Sequence, residues 1–395
     1  MFCSNASKVL FWNRILTRIQ LFDVLKTSIL IAKGFSISNT LIIFTMYYLG
    51  AITYSVWFKN IIKSSKLQIN ISTILRTLYY LSFLLDSNLI IFSLFSIFLG
   101  FSDTINNTNT ESYTYQIFKD KYTHNMSKIY SISIFGAIIF NLVMSSLAFV
   151  SILIPIISIT IINIINLLLG LKLPDGFVTS SNKTPFHIQI ENFRIILKLE
   201  GIKEILFLLL NIKIYTMLLI RIKPYLLTAT LMNPITISNI ETASQIFPAI
   251  VVLINIKHSN MSRNINIGCI LSLSLVILSN LIDPIYLLPY ICLTSIIHVT
   301  TLPLIIQKIG DILSKNDDTI SVLNIVELIT NIILFPILLI ISNLFQTKPY
   351  NEGYIYCVPF ILLTIYFNYK FNIKSIAFPN VKSNLVEQKL KKVVN

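Results

Sequence analysis

A chain of 395 residues that is 54% hydrophobic and only 12% charged holds about half the charge of an ordinary soluble domain. Its mean hydropathy of +0.76 places it with proteins whose surface faces lipid. The formal net charge of +14 does not mark a nucleic-acid binder, because the cations lie in short connections between apolar stretches and in the C-terminal tail. There they orient inserted helices and meet anionic lipid.

Residues 1–37 open the chain with Lys8, Arg14, Arg18, Lys26 and Lys33 against a single Asp23. Two readings stand for this basic segment. It is a poor, degraded first span near residues 20–37, interrupted by Lys26 and Lys33, with the N-terminus inside. Alternatively, a first helix has been lost or lies upstream of this sequence. Roughly eleven apolar stretches follow, over 38–58, 67–85, 88–112, 129–150, 151–170, 212–234, 241–256, 265–282, 284–306, 320–345 and 354–371. At that length they are helices, since a lipid-exposed strand leaves its backbone unpaired. The third stretch is apolar over Leu89–Gly100, but Ser102–Tyr115 is rich in Asn and Thr and reads as a loop.

The connections alternate in charge. Lys59, Lys63 and Lys66 occupy one, and none lies around Asp86-Ser87-Asn88. Lys119, Lys121 and Lys128 follow, then none near Pro155. Lys172, Lys183, Arg194, Lys198 and Lys203 fill the longest connection, and Asn233–Ser244 holds none. Lys257 and Arg263 precede an uncharged-base turn at Asp283-Pro284. Lys308 and Lys315 come next, then a loop with only Lys348, then the tail from Lys370 to Lys392. Basic residues stay on the cytoplasmic side of inserted helices. The alternation therefore predicts an N-terminal helical half over 38–170 and a cytoplasmic linker over 171–203 with a short amphipathic helix near Ile190–Leu199. A C-terminal half spans 204–371, and a cytoplasmic tail 372–395.

Chemistry-bearing motifs are scarce. Cys3, Cys269, Cys292 and Cys357 are scattered, as are His124, His187, His258 and His298. That spacing holds neither a disulfide framework nor a zinc site, and no nucleophile elbow, P-loop or dinucleotide fingerprint is present. The sequence is expected to encode no enzyme and to need no cofactor or metal; His298 reads as a packing residue. Charges inside spans carry more information. Arg221 and Lys223 fall within 212–234 and either face a wet cavity or snorkel to the outer interface. Glu327 lies within 320–345, and Lys213 reads as interfacial.

Several segments, in order, resemble the sugar porters of the major facilitator superfamily. Leu49-Gly50-Ala51 running into Lys59–Lys66 resembles the family's second helix and its basic turn. Gly100, Tyr113 and Gln116-Ile117 fall at the spacing of its fourth-helix pattern. Leu173-Pro174-Asp175-Gly176, Val326-Glu327 through Asn331 with Phe335-Pro336, and Phe378-Pro379-Asn380-Val381-Lys382 follow in register. The resemblance implies an all-α polytopic membrane protein of about 11–12 helices, in two halves around a central cavity. It implies alternating-access transport of a hexose or other small polar metabolite, of the facilitative kind. It places Ser131, Thr230, Asn233, Gln245, Glu327 and Asn331 at the cavity, and Gln116, Lys63, Lys66 and Arg263 at the gate. The protein is expected to be a monomer in the plasma membrane with a cytoplasmic C-terminus.

The departures from the family are specific. Its fourth-helix Arg is Ser96 here, its gate acid is Gln116, and its partner bases fall at Thr123-His124-Asn125. Its sugar-holding motif in the seventh helix is replaced by Ala229 through Ile235. A weak cytoplasmic lock follows, and a non-transporting receptor or sensor of the same fold, or a transporter of another, anionic solute, stays open. The topology makes a direct prediction. Cysteines introduced into 171–203 and into 372–395 should both escape a membrane-impermeant label added outside; strong outside labelling of either overturns the orientation.

Overall fold

The computed structural model describes residues 2–21, 23–58, 61, 64–86, 88–118, 122–148, 150–174, 186–198, 201–228, 261–279, 281–282, 305, 308–309, 316–346 and 350–377. Its longer elements are helices. They are α1 (Phe2–Arg18), α2 (Asp23–Ala32), α3 (Ile37–Thr53, continued by a π turn Tyr54–Phe58), α4 (Ser65–Ser82), α5 (Leu89–Phe118) and α6 (Tyr122–Leu147). Then come α7 (Leu153–Leu171), α8 (Phe186–Ile196), α9 (Ile202–Thr228), α10 (Met261–Leu278), α11 (Asn316–Leu344) and α12 (Val358–Ala377). Among the described residues, five segments are long and apolar enough to cross a membrane: Ile37–Phe58, Leu89–Asn106, Leu153–Leu171, Ile202–Ile222 and Val322–Leu344.

Short polar residues start these helices. Ser36 accepts a hydrogen bond from the Asn39 amide at 3.1 Å. Ser64 accepts from the Leu67 amide at 3.3 Å, and the Asn88 carboxamide oxygen accepts from the Ile90 amide at 2.9 Å. Each satisfies an orphan donor of a first turn.

The helices are inverted in polarity relative to those of a soluble protein. On α7, Thr160, Asn163, Asn166 and Gly170 are buried, while Ile157, Ile161, Ile164, Ile165 and Leu168 are exposed. Helix association in lipid uses small and polar residues at the contact and leaves aliphatic side chains for the hydrocarbon.

The same principle explains a difference from the sequence-based expectation. The stretch Ser102–Tyr115, expected as a loop, continues α5 to Phe118. Its early polar side chains bond inside the bundle: Ser72 on α4 meets the Ser102 hydroxyl at 3.1 Å, Asn106 donates to Ser72, and Thr104 donates to the Gly100 carbonyl at 2.8 Å. A hydropathy average counts such residues against a helix, whereas a bundle uses them as contacts. Further along, Tyr113 donates to the Pro174 carbonyl at 3.1 Å. It belongs to a second apolar cluster with Leu10, Ile15, Ile69, Phe118, Ile129 and Leu173.

Residues 2–32 form two packed helices rather than a single stretch. α1 lies against α6 and α7, where Asn13 donates to the Asn166 side chain at 2.7 Å and Asn166 donates to Thr17 at 2.9 Å. α2 lies against α3 and α9. Helices α1 to α7 make one half and α9 to α12 the other, with α8, in the connecting segment, against α11. The halves meet along α3 and α11, where Ser38 donates to the Ser342 carbonyl at 2.7 Å and Gln346 donates to Ser38 at 3.2 Å.

Within the first half, α3 and α5 cross at two glycines. A Cβ on Gly50 meets the Ile97 carbonyl oxygen at 2.2 Å, and one on Gly100 meets the Tyr47 carbonyl oxygen at 2.0 Å. Both obstacles are backbone, so neither moves without separating the helices. Gly100→Val should therefore lower the melting temperature and the yield of detergent-solubilised monomer, with a destabilisation of roughly 1–3 kcal/mol or more. A wild-type melting curve for Gly100→Val removes this account of the crossing.

Candidate functional site

The site begins at the interruption between α1 and α2. A helix that stops inside an apolar bundle leaves carbonyls at one end and amides at the other without intrahelical partners, and no water of the hydrocarbon region replaces them. The side chains of α4, α5 and α9 answer this. Arg76 of α4 donates one guanidinium nitrogen to the Thr17 carbonyl, in the last turn of α1. It gives the other to the carboxylate of Asp103 on α5. The α1 end is thus held by a buried cation whose charge is matched within the same half.

α2 starts on Asp23, an acid in the first turn, where the positive end of the helix dipole favours a carboxylate. Asp23 pairs with Lys26 one turn along and with Arg221 of α9, in the other half. Arg221 also donates to the Tyr48 hydroxyl at 3.0 Å and lies 5.5 Å from the ring centroids of Tyr47 and Tyr48. Those two rings meet edge to face at 5.2 Å. Lys26 sits 5.7 Å over the Phe44 ring. The side chains are largely withdrawn from solvent, Lys26 at 7% and Arg221 at 14% exposure. Cation–π contacts and a phenol oxygen replace part of the water these cations lose.

A third pair lies deeper in the second half, where Lys213 of α9 bonds Glu327 of α11. At the α-helical rise, Lys213 lies about 16 Å along α9 from Ile202, and Arg221 about 12 Å beyond that. The two cations therefore stand at separate levels of the same helix.

The expected site residues are distributed as follows. Glu327 and Asn331 stand one turn apart on α11. Glu327 is occupied by Lys213, and Asn331 is buried, next to buried Thr330. Ser131 falls on α6 and Gln116 on α5, with side chains outside the described residues. Thr230, Asn233, Gln245 and Lys63 lie outside the described residues altogether. Lys66 is half-buried in the first turn of α4, and Arg263 is exposed at the start of α10. Lys213, expected at the interface, is bonded to Glu327. Arg221 does not snorkel outward but turns into the contact between the halves. Its neighbour Lys223 belongs to α9, with its side chain outside the described residues.

Sequence inspection did not find Asp23, Lys26, Tyr48, Arg76 and Asp103 as site residues. The signal available was modest. Asp23 and Lys26 stand at i and i+3 within one helical turn, a spacing that lets opposite charges meet, in a stretch otherwise apolar.

The described residues form an all-α arrangement of two helical halves, with five segments long and apolar enough to cross a membrane. No family model matches the chain, and no curated protein matches it. In fold it is similar to the crystal structure of a point mutant of nucleoside transporter NupG, at a TM-score of 0.66 and 13% identity, over 95% of this chain and 100% of that one. It is also similar to the crystal structure of nucleoside transporter NupG itself, at a TM-score of 0.64 and 12% identity, over 94% and 98%. The likeness supports the fold and does not reach the sugar-porter subfamily that the sequence resembles.

The charge balance of the first half can be tested. Arg76→Met leaves Asp103 buried without its cation and the Thr17 carbonyl without its donor. Breaking a buried pair from one side costs on the order of 3–5 kcal/mol, so the variant should lose most of its folded yield. Arg76→Met with Asp103→Asn should recover a good part of it, because the stranded charge is gone. If the double variant is no better than the single one, Asp103 is not the partner that matters.

Proposed function

We propose that this chain moves a small polar metabolite across a bilayer by alternating access, with the solute path where α2, α3, α9 and α11 meet. The Asp23–Arg221 pair carries this reading, because it is a buried charge contact that joins the two halves. Ionisable groups at membrane depth are costly, and they persist where they face a path, a partner or a relay. Pairs that hold different halves together are the contacts a rocking cycle makes and breaks.

The hexose reading rests on the sugar-porter resemblance, in which Ser131, Thr230, Asn233, Gln245, Glu327 and Asn331 face the solute. A nucleoside-like solute is favoured by a different observation. Tyr47 and Tyr48 present aromatic faces beside Arg221, a wall suited to a flat ring as well as to hydroxyls, and the structural neighbours carry the name of nucleoside transporters. With Gln116 in place of the gate acid, and Lys63, Lys66 and Arg263 as the remaining bases, the cytoplasmic lock is weak. The contacts at Ser38–Ser342 and Asp23–Arg221 then set the resting state, closed at their end. We place the protein in the plasma membrane as a monomer with its C-terminus in the cytoplasm.

Uptake into proteoliposomes tests this. Radiolabelled uridine and glucose are offered separately, and saturable, counterflow-competent uptake of at least one is expected. Asn331→Ala should raise the half-saturation concentration roughly two- to tenfold, as expected for one lost neutral hydrogen bond, with yield maintained. Gln245→Ala should do the same. Binding without any uptake or counterflow selects the receptor reading, and normal uptake with poor folding of Asn331→Ala assigns that amide to helix packing.

A further inference from the structure

We infer that the transported solute is an anion, presenting a single carboxylate or phosphoester group to Lys26 and Arg221. This deepens the transport reading and rests on it. The other two pairs described above match one cation with one carboxylate: Arg76 with Asp103, and Lys213 with Glu327. The cluster between the halves does not, for Lys26 and Arg221 both take the carboxylate of Asp23. Among the described residues their remaining contacts are neutral: the Phe44 ring for Lys26, and Tyr47 and Tyr48 for Arg221. Two cations on one carboxylate leave one positive charge in a setting where a bare charge is expensive. One further negative charge completes two pairs.

The surroundings fit an anion independently of that count. α2 begins at Asp23, so the positive dipole end of a helix lies at the same place. In membrane transporters such half-helix ends face anionic solute groups. Arg221 offers a planar fork that matches two oxygens of a carboxylate or phosphoester, and Tyr48 already takes only its Nε. The hydroxyl of Tyr79, on α4, is fully buried without a hydrogen-bond partner among the described residues. An arriving anion competes with Asp23 for Arg221, while Lys26, on the same helix turn, keeps Asp23 paired.

The test uses purified full-length protein and matched pairs that differ in charge: glucose against glucuronate, and uridine against uridine 5′-monophosphate. Thermal stabilisation in detergent and uptake into proteoliposomes are both measured. The expected result is that at least one anion binds tenfold or more tightly than its neutral partner. That preference should fall about tenfold or more in Arg221→Gln and in Lys26→Gln, since hydrogen bonds to charged groups carry it. Arg221→Lys, which keeps the charge and loses the fork, should fall between. Asp23→Asn should tighten anion binding severalfold by removing the competitor, whereas a purely structural triad would lose binding or leave it unchanged. Neutral solutes that bind and move while the anions do neither overturn the anion assignment and leave transport standing. Anion binding without uptake or counterflow keeps the anion site and sinks the transport reading. If Arg221→Gln does not fold, Lys26→Gln, Asp23→Asn and the wild-type charge preference decide alone.

Discussion

The structure depends on a helix that stops inside the bundle and starts again. α1 ends at Arg18 and α2 begins at Asp23, so the backbone groups at these two ends need partners outside their own helices. Arg76 meets the Thr17 carbonyl from one side, and on the other side α2 opens on an acid in its first turn. Each of these groups brings a charge that itself needs a partner, which explains Asp103 against Arg76 and Arg221 against Asp23. The two helix ends thus account for charges on three further helices, α4, α5 and α9.

The packing that tolerates those charges is made by small residues. Gly50 and Gly100 bring α3 and α5 to backbone contact. On α7, Gly170 leaves room for the Asn70 carboxamide, whose oxygen lies 2.2 Å from where a Cβ would stand. Close approach shortens the reach between helices, so Ser72, Ser102 and Asn106 bond directly and Asn13, Thr17 and Asn166 do the same. Many aliphatic side chains then turn outward, Ile157, Ile161 and Leu168 of α7 among them, beside a buried apolar core that includes Leu30, Phe44 and Phe92. This division explains why glycines that resemble family motifs in the sequence serve as contacts in the structure.

Much of the helical plan was legible because apolar length and basic-loop alternation are properties of the chain itself. The sequence read poorly where polarity and helicity part company. Ser102–Tyr115 carries the composition of a loop, yet its Asn, Ser and Thr side chains find partners on α4 and on their own helix. Lys213 has the composition of an interfacial residue, yet Glu327 lies far along the chain and meets it only in the fold. Pairing between distant positions leaves no trace in a local average. The same holds for Asp23 and Arg221, whose relation is set by how the two halves lie together.

The ion pairs differ in what a rocking motion requires of them. Arg76–Asp103 and Lys213–Glu327 each lie within one half, so rigid rocking of the halves leaves them intact. Asp23–Arg221 crosses between halves, as does the bond from Arg221 to Tyr48. In a rocking cycle both must open together, and stranding a buried charge costs on the order of 3–5 kcal/mol. Asp23 escapes most of that cost, because Lys26 rides on the same helix and stays paired with it. Arg221 keeps no such companion, for its carboxylate and Tyr48, which accepts its Nε bond, both belong to the departing half. In the proposed cycle the barrier therefore depends on what meets the Arg221 guanidinium when the halves separate, and a solute that supplied the missing oxygens would lower the barrier to its own passage.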